Sequence, residues 1–255
     1  MQRVKTALIT GASAGIGESY VRKLAAGCER IRVVARRAER LEKLAKELAS
    51  QCEIVPIIAD LSTTEGQAAV VESIRQQPAP DVLINNAGFS TLGHFASSEL
   101  DKEFEMLRLH QEATLALTRA ALPAMLERGS GAIINVSSIG GFADMPGVAT
   151  YGASKAFLVS FSRSLRSELV DSGVHVQCLC PGYTRTEIHS RESFVGFDVS
   201  RVPDEMWMEA DAVVDESLNA LGDCLSKQGK RWLVITGEQN RQLVQKALKQ
   251  LADEV

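Results

Sequence analysis

TGASAGIG, Thr10 to Gly17, is the stretch whose reading decides the fold. It follows a short apolar run, KTALIT (5–10), and leads into a helical pattern. Glycines at 11, 15 and 17 let the backbone turn tightly and approach a ligand closely. The first amides of the next helix then face negative charge. Strand, glycine turn and helix, in that order, make a cradle for a pyrophosphate at the carboxyl edge of a parallel sheet.

Outward from that turn, short β-branched runs recur: IRVVAR (31–36), EIVPIIA (53–59), DVLINNA (81–87), GAIINVS (131–137), HVQCLC (175–180) and RWLVIT (231–236). Most are apolar on both faces, as strands covered by helices on each side must be. Between them lie amphipathic segments such as AERLEKLAKELAS, with Leu41, Leu44, Ala45 and Leu48 on one stripe. Alternation of this kind predicts an α/β fold, a Rossmann-type doubly wound, seven-stranded parallel sheet with helices on both faces. Pro56 sits awkwardly inside the third strand. Residues 1–255 read as a single dinucleotide-binding and catalytic domain. The weakly periodic segment 187–208 reads as a substrate lid within it.

Composition narrows the rest. A formal net charge of −4 gives no general attraction for nucleic acid or an anionic membrane. No run approaches the ~20 apolar residues of a membrane span, and MQRVKTALITG lacks a signal-peptide core. The five cysteines show no CxxC, and Cys178 and Cys180 read as core filler on one strand face rather than metal ligands. A cytoplasmic protein is expected.

The glycine spacing is GxxxGxG, not GxGxxG. Following a threonine, this resembles the short-chain dehydrogenase/reductase family, in its shorter single-domain branch. NNAG (85–88), a serine at 138 with Tyr151 and Lys155, PGYTRT (181–186) and the final strand WLVITG carry the same resemblance in the same order. It implies a nicotinamide cofactor held by Thr10, Gly11, Ser13, Gly15, Ile16, Gly17, Asn86, Ala87, Gly88, Pro181, Gly182 and Thr186, with Tyr151 and Lys155 on the ribose side. It also implies that Tyr151 exchanges the proton, Ser138 steadies the substrate oxygen, and no metal takes part.

The physical use of Lys155 follows from SSIGGFADMPGVATYGASK (137–155), where a helix stacks it beside Tyr151. A phenol titrates near 10. A cation about 4 Å away contributes ~4 kcal/mol at an effective dielectric of ~20, or at most ~3 pKa units. Lys155 is therefore expected to pull the Tyr151 phenol down toward neutrality.

For the cofactor, the second strand ends VVARRAER, with Ala35 where an acid would hold an unphosphorylated ribose. Arg36 is the expected grip on a 2′-phosphate, with Ser13 as a second contact and Arg37 next to it. NADP(H) is the expected cofactor. Asp60 reads either as an adenine contact or as a helix cap.

At the position where many relatives carry an asparagine, this chain has His110. It reads either as a neutral helix histidine with satisfied hydrogen bonds or as a member of the proton relay. The substrate side is thinner. Phe89, Asp144, Met145, His189, Phe194, Phe197, Met206 and Trp207 form a substrate wall or pack the lid, and Arg185 and Arg191 meet an anion or water. The expected reaction reduces a moderately hydrophobic ketone or aldehyde, or oxidises the matching alcohol. The alternative is an NADP(H)-binding sensor or scaffold with little turnover. By resemblance, helices near 99–127 and 150–172 would carry a homodimer or homotetramer contact. The stripe Leu243, Ala247, Leu248 and Leu251 is expected to pack into the core.

Overall fold

The computed structural model describes residues 4–187, 198–225 and 231–254. Seven strands run parallel in one sheet: β1 (Thr6–Thr10), β2 (Arg30–Ala35), β3 (Glu53–Ile58), β4 (Val82–Asn85), β5 (Gly131–Val136), β6 (Val174–Cys180) and β9 (Leu233–Ile235). Their order is β3-β2-β1-β4-β5-β6-β9. All seven strands expected from the sequence are present.

Neighbouring residues of one strand feed opposite cores, because side chains alternate across a sheet. Ala7, Ile9, Ile84 and Ile134 pack against α1 (Gly15–Ala25), α2 (Ala38–Leu48) and α7 (Ala210–Leu225). Leu8, Leu83 and Ile133 pack against α3 (Thr64–Gln76), α5 (Ala113–Arg128) and α6 (Ala149–Glu168). This two-sided burial is the reason the strands read as continuous apolar runs.

The chain winds outward from β1 through β2 to β3, then crosses to β4 and winds the other way. The switch point between β1 and β4 opens a crevice at their carboxyl ends. The glycine turn, NNAG, Ser138 and the segment 181–186 follow the carboxyl ends of β1, β4, β5 and β6, and Tyr151 and Lys155 lie on α6.

Pro56 is accommodated because β3 is an edge strand, paired only with β2, where Val33 stands opposite the proline. The long helix expected near 99–127 is two helices, α4 (Leu100–Leu107) and α5, joined by a π-helical turn at Arg108–Glu112. Two short strands, β7 (Thr184–Arg185) and β8 (Met208–Glu209), pair in parallel and bring the two ends of the 187–208 segment together.

The terminal helix α8 (Glu238–Asp253) corrects one expectation. Only Val244 and Asn240 are buried, while Leu243, Leu248 and Leu251 stay about half exposed. Cys28, Cys52, Cys178 and Cys180 are buried thiols, and Cys178 and Cys180 lie 3.7 Å apart on one strand face. No described helix is long and apolar enough to cross a membrane.

Candidate active site

The glycine loop is fixed from behind. Thr10 Oγ1 accepts the amides of Asn86 and Ala87, each at 2.9 Å, and donates to the Ile84 carbonyl. Thr10 is buried and lies beneath the crevice wall, so its hydroxyl joins the β1 and β4 loops instead of facing a ligand. Gly17 is likewise a packing position, where a Cβ would overlap the Gly11 carbonyl. The other expected cofactor residues line one groove of about 220 Å3: Gly11, Ser13, Gly15, Ile16, Arg36, Arg37, Asp60, Asn86, Ala87, Gly88, Tyr151, Lys155, Pro181, Gly182 and Thr186.

The two arginines part company. Arg37 donates from Nε (3.1 Å) and Nη2 (2.9 Å) to Ser13 Oγ at the glycine loop. Arg36 points elsewhere, to Asp60 at 3.4 Å and Glu105 at 3.7 Å. The arginine that meets Ser13 is thus Arg37. Asp60 accepts the Ser62 amide and hydroxyl at 2.9 and 2.6 Å, and the cap of α3 is Thr63, not Asp60.

On the far side of the groove, β5 delivers Ser137 and Ser138. Ser137 Oγ donates to the Lys155 carbonyl and is thereby engaged. Ser138 Oγ accepts the Gly140 amide, reaches the Pro181 carbonyl only at 3.5 Å, and bonds the Tyr151 phenol. Lys155 sits over the Tyr151 ring, Nζ 5.5 Å from its centre, and donates to the Val136 carbonyl at 3.1 Å.

That geometry corrects the expected electrostatics. Burial pushes the Tyr151 phenol above its ordinary value of 10, outweighing its bond from Ser138. Burial also pulls the Lys155 ammonium down to about 8. With Nζ aimed at a carbonyl rather than the phenol oxygen, desolvation wins and Tyr151 holds its proton.

His110 occupies the π-helical turn. Its Nε2 accepts the Phe89 amide at 3.3 Å, and its Nδ1 lies 2.8 Å from Ser154 Oγ. Ser154 in turn donates to the Tyr151 carbonyl at 2.7 Å. Ser154 has one proton and gives it to that carbonyl, so Nδ1 is the donor toward Ser154, and the imidazole is neutral. Burial first, and Lys155 second, hold its pKa well below 6.5. A relay through the ring would have to open one of these bonds. A Cβ on Gly88 would come within 2.6 Å of His110 Nε2 and 3.6 Å of Lys155 Nζ, so glycine is required where NNAG meets the histidine. Ser154 was missed in the sequence, where it is one more small residue before the lysine.

A second cavity, of about 360 Å3, opens on the other side of Tyr151. Ser138, Tyr151 and Gly182 border both spaces. Its walls are Ile139, Ala143, Met145, Val148 and Tyr183, closed by Leu243, Val244 and Ala247 of α8. The α8 wall was also missed. Of the expected substrate residues, Met145 lines this cavity, Phe89 lines the groove, and Asp144 lines neither. Trp207 packs against Tyr183 at a tilt of 47°, ring centres 5.4 Å apart, and lies under Arg185, which pairs with Asp204 and Glu209. His189, Arg191, Phe194 and Phe197 lie outside the described residues.

A groove of glycine-loop residues ending at a serine, a buried phenol and a buried ammonium is the arrangement the motifs imply, and the family model for short chain dehydrogenases matches residues 5–193. The chain belongs to the short-chain dehydrogenase family. It is 37% identical over 193 residues to the dehydrogenase/reductase SDR family protein 7-like of Drosophila melanogaster, covering 72% of this chain and 58% of that protein. A short-chain dehydrogenase from Sphingobium yanoikuyae in complex with NADPH superposes with a TM-score of 0.83 at 33% identity, over 99% of this chain and 96% of that one. A short-chain dehydrogenase/reductase from Burkholderia phymatum in complex with NAD shares the fold, with a TM-score of 0.81 at 21% identity over 95% and 92%. The chain spans about three fifths of the length of the first curated relatives it matches.

Proposed function

We propose that this short-chain dehydrogenase reduces an apolar ketone or aldehyde with NADP(H). The observation that carries the reading is that Ser138 and Tyr151 stand on the boundary between the glycine-loop groove and the apolar cavity. A carbonyl entering from the cavity meets a hydroxyl and a protonated phenol from the side opposite the cofactor.

When bound, the nicotinamide supplies the hydride. The protein's own groups handle the proton. Ser138 Oγ, held only loosely by the Pro181 carbonyl, turns to donate to the substrate oxygen. Tyr151 keeps its proton until a carbonyl oxygen gains negative charge, then donates from Oη. The phenolate left behind lies near the Lys155 ammonium, whose Nζ is 5.5 Å from the ring centre and whose charge favours it. Lys155, at about 8, carries a proton at neutral pH that it can return to the phenol. A raised phenol keeps Tyr151 protonated as the donor, and a lowered ammonium gives its proton up readily.

Support for NADP(H) comes from the ribose end. No carboxylate follows β2 where a 2′-hydroxyl would need one, and Arg37 is clamped onto Ser13 at the groove. Guanidinium and hydroxyl are the donors a 2′-phosphate takes. The roles of the two arginines are thus exchanged relative to the sequence expectation, with Arg37 the phosphate contact.

On the substrate side, the cavity of about 360 Å3 is larger than the cofactor groove's 220 Å3 and has room for a substrate with a sizeable side arm. The lining is mostly apolar, with Ser90, Lys246 and Gln250 as polar groups beside Ser138 and the tyrosines, so the fitting substrate is a carbonyl with an apolar arm lying along Leu243 and Ala247. The test is to mix protein and NADPH with ketones and aldehydes of graded size and follow the loss of reduced nicotinamide. Turnover rising with apolar bulk up to the cavity's capacity supports the reading. Cofactor binding without turnover across the panel would replace it with the sensor reading.

A further inference from the structure

Arg37 and Arg40 close on one carboxylate at the mouth of the cofactor groove. Arg37 Nη1 lies 2.7 Å from Glu187 Oε2, and Arg40 Nη1 bonds Glu187 Oε1. Each carboxylate oxygen thus takes its own guanidinium. Together with Ser13, whose oxygen accepts two N–H groups of Arg37, this is a built anion site, and a carboxylate of the chain itself fills it.

The donor set suits a larger anion. A guanidinium fork matches phosphate as well as carboxylate. Ser13 lines the groove, and its own proton goes to no acceptor among the described residues. The bonds from Arg37 and Arg40 hold the Glu187 carboxyl below its ordinary range, so it is ionised at neutral pH. Glu187 comes from a distant part of the chain, 150 residues from Arg37. It directly follows Thr186, whose methyl abuts Gly15 so closely that a Cβ there would lie 2.8 Å from it. The carboxylate is therefore delivered to the arginines by the loop that also seats the expected nicotinamide contact.

We propose that Glu187 is an internal competitor for the 2′-phosphate of NADP(H): a phosphate must displace it from Arg37 and Arg40, whereas an unphosphorylated dinucleotide leaves the clamp in place. Glu187 is on this view a cofactor-discriminating residue, one that weakens the phosphorylated cofactor and keeps its two arginines ordered until it arrives. The proposal rests on the NADP(H) reading above.

The experiment is calorimetric titration of the intact protein with 2′,5′-ADP and with ADP, for the parent and Glu187→Gln. The amide keeps the size of the side chain and removes its charge. The expected result is that the variant binds 2′,5′-ADP about tenfold more tightly, the weight of one charge-assisted contact no longer opposed, while ADP shifts by less than about twofold. An unchanged or weaker affinity for 2′,5′-ADP, or an equal shift for both ligands, overturns the role of Glu187. The parent alone reports on the cofactor reading. If it binds ADP as tightly as 2′,5′-ADP, the phosphate subsite is absent and this proposal falls with it.

Discussion

His110 Nδ1 lies 2.8 Å from Ser154 Oγ, and through that hydroxyl the imidazole holds the backbone carbonyl of Tyr151. The other ring nitrogen holds the Phe89 amide beside NNAG. One neutral side chain thus ties the cofactor loop to the helix that carries the phenol and the ammonium.

Removing that tie has a pH signature. His110→Asn shortens the side chain and leaves a buried donor or acceptor unpaired, a cost of about 1–3 kcal/mol at pH 7.5. The folded protein holds the imidazole neutral far below 6.5, whereas the unfolded chain takes a proton there. Stability from this group is present above pH 6.5 and lost as pH falls below it. The parent's advantage over the variant should therefore shrink steadily as pH falls from 6.5 to 5. Denaturant midpoints at pH 7.5 and 5 check this. An advantage that does not change with pH would contradict a neutral buried imidazole.

Lys155 behaves in the opposite pH range. Its folded value is about 8 against an ordinary 10.5, so below pH 8 the buried ammonium costs about 3 kcal/mol. Between pH 8 and 10.5 the unfolded chain binds a proton that the folded protein does not, and the parent gains stability as pH rises. Lys155→Met should be the more stable protein at pH 7.5, less the effect of leaving the Val136 carbonyl without its donor, and inactive. Its margin over the parent should narrow steadily up to pH 10.5. A constant margin would show that the ammonium is not desolvated.

Much of this was legible in the sequence, for identifiable reasons. The seven strands announced themselves because both faces are buried, as Ile9 and Leu8 show on a single strand. The glycine loop, the serine and the Tyr151–Lys155 pair are local spacings. What was hidden is long-range or depends on burial. Nothing near Arg37 in the chain announces Glu187, 150 residues away. A helix pattern does not reveal the π-helical turn that sets the direction of His110. Leucines at helical spacing in α8 read as core, yet the sheet has no further face to offer them, and Leu243 and Ala247 border a cavity instead. The sign of the Tyr151 shift also required the structure, because the pull of a neighbouring cation was visible in sequence and the depth of burial was not.

The arginines offer a direct comparison. Arg37→Ala should weaken binding of NADPH by tenfold or more, the order of a lost charge-assisted pair, and leave NADH nearly untouched. Arg36→Ala, which removes an exposed group already shared between Asp60 and Glu105, should cost about threefold or less. Thermal-shift titrations with both cofactors would show it. A larger loss in Arg36→Ala would return the phosphate contact to Arg36.

The α8 wall sets a size limit. Ala247→Phe should lower kcat/KM for a ketone that fills the cavity at least tenfold relative to a four-carbon ketone, because an added ring occupies the space of the apolar arm. Competition between the two ketones in one assay gives that ratio. A ratio equal to the parent's would remove α8 from the substrate site.

The phenol is the group on which the chemistry turns. Tyr151→Phe keeps the ring, its packing against His110 and the cavity wall, and deletes only the hydroxyl. Single-turnover reduction of the best ketone from the size panel, with NADPH binding measured on the same sample, is the most direct test. The expected result is unchanged cofactor affinity and a hydride-transfer rate reduced at least a hundredfold, the usual contribution of a positioned acid. A variant that binds NADPH normally and transfers hydride at the parent's rate would contradict the assignment of Tyr151 as the proton donor.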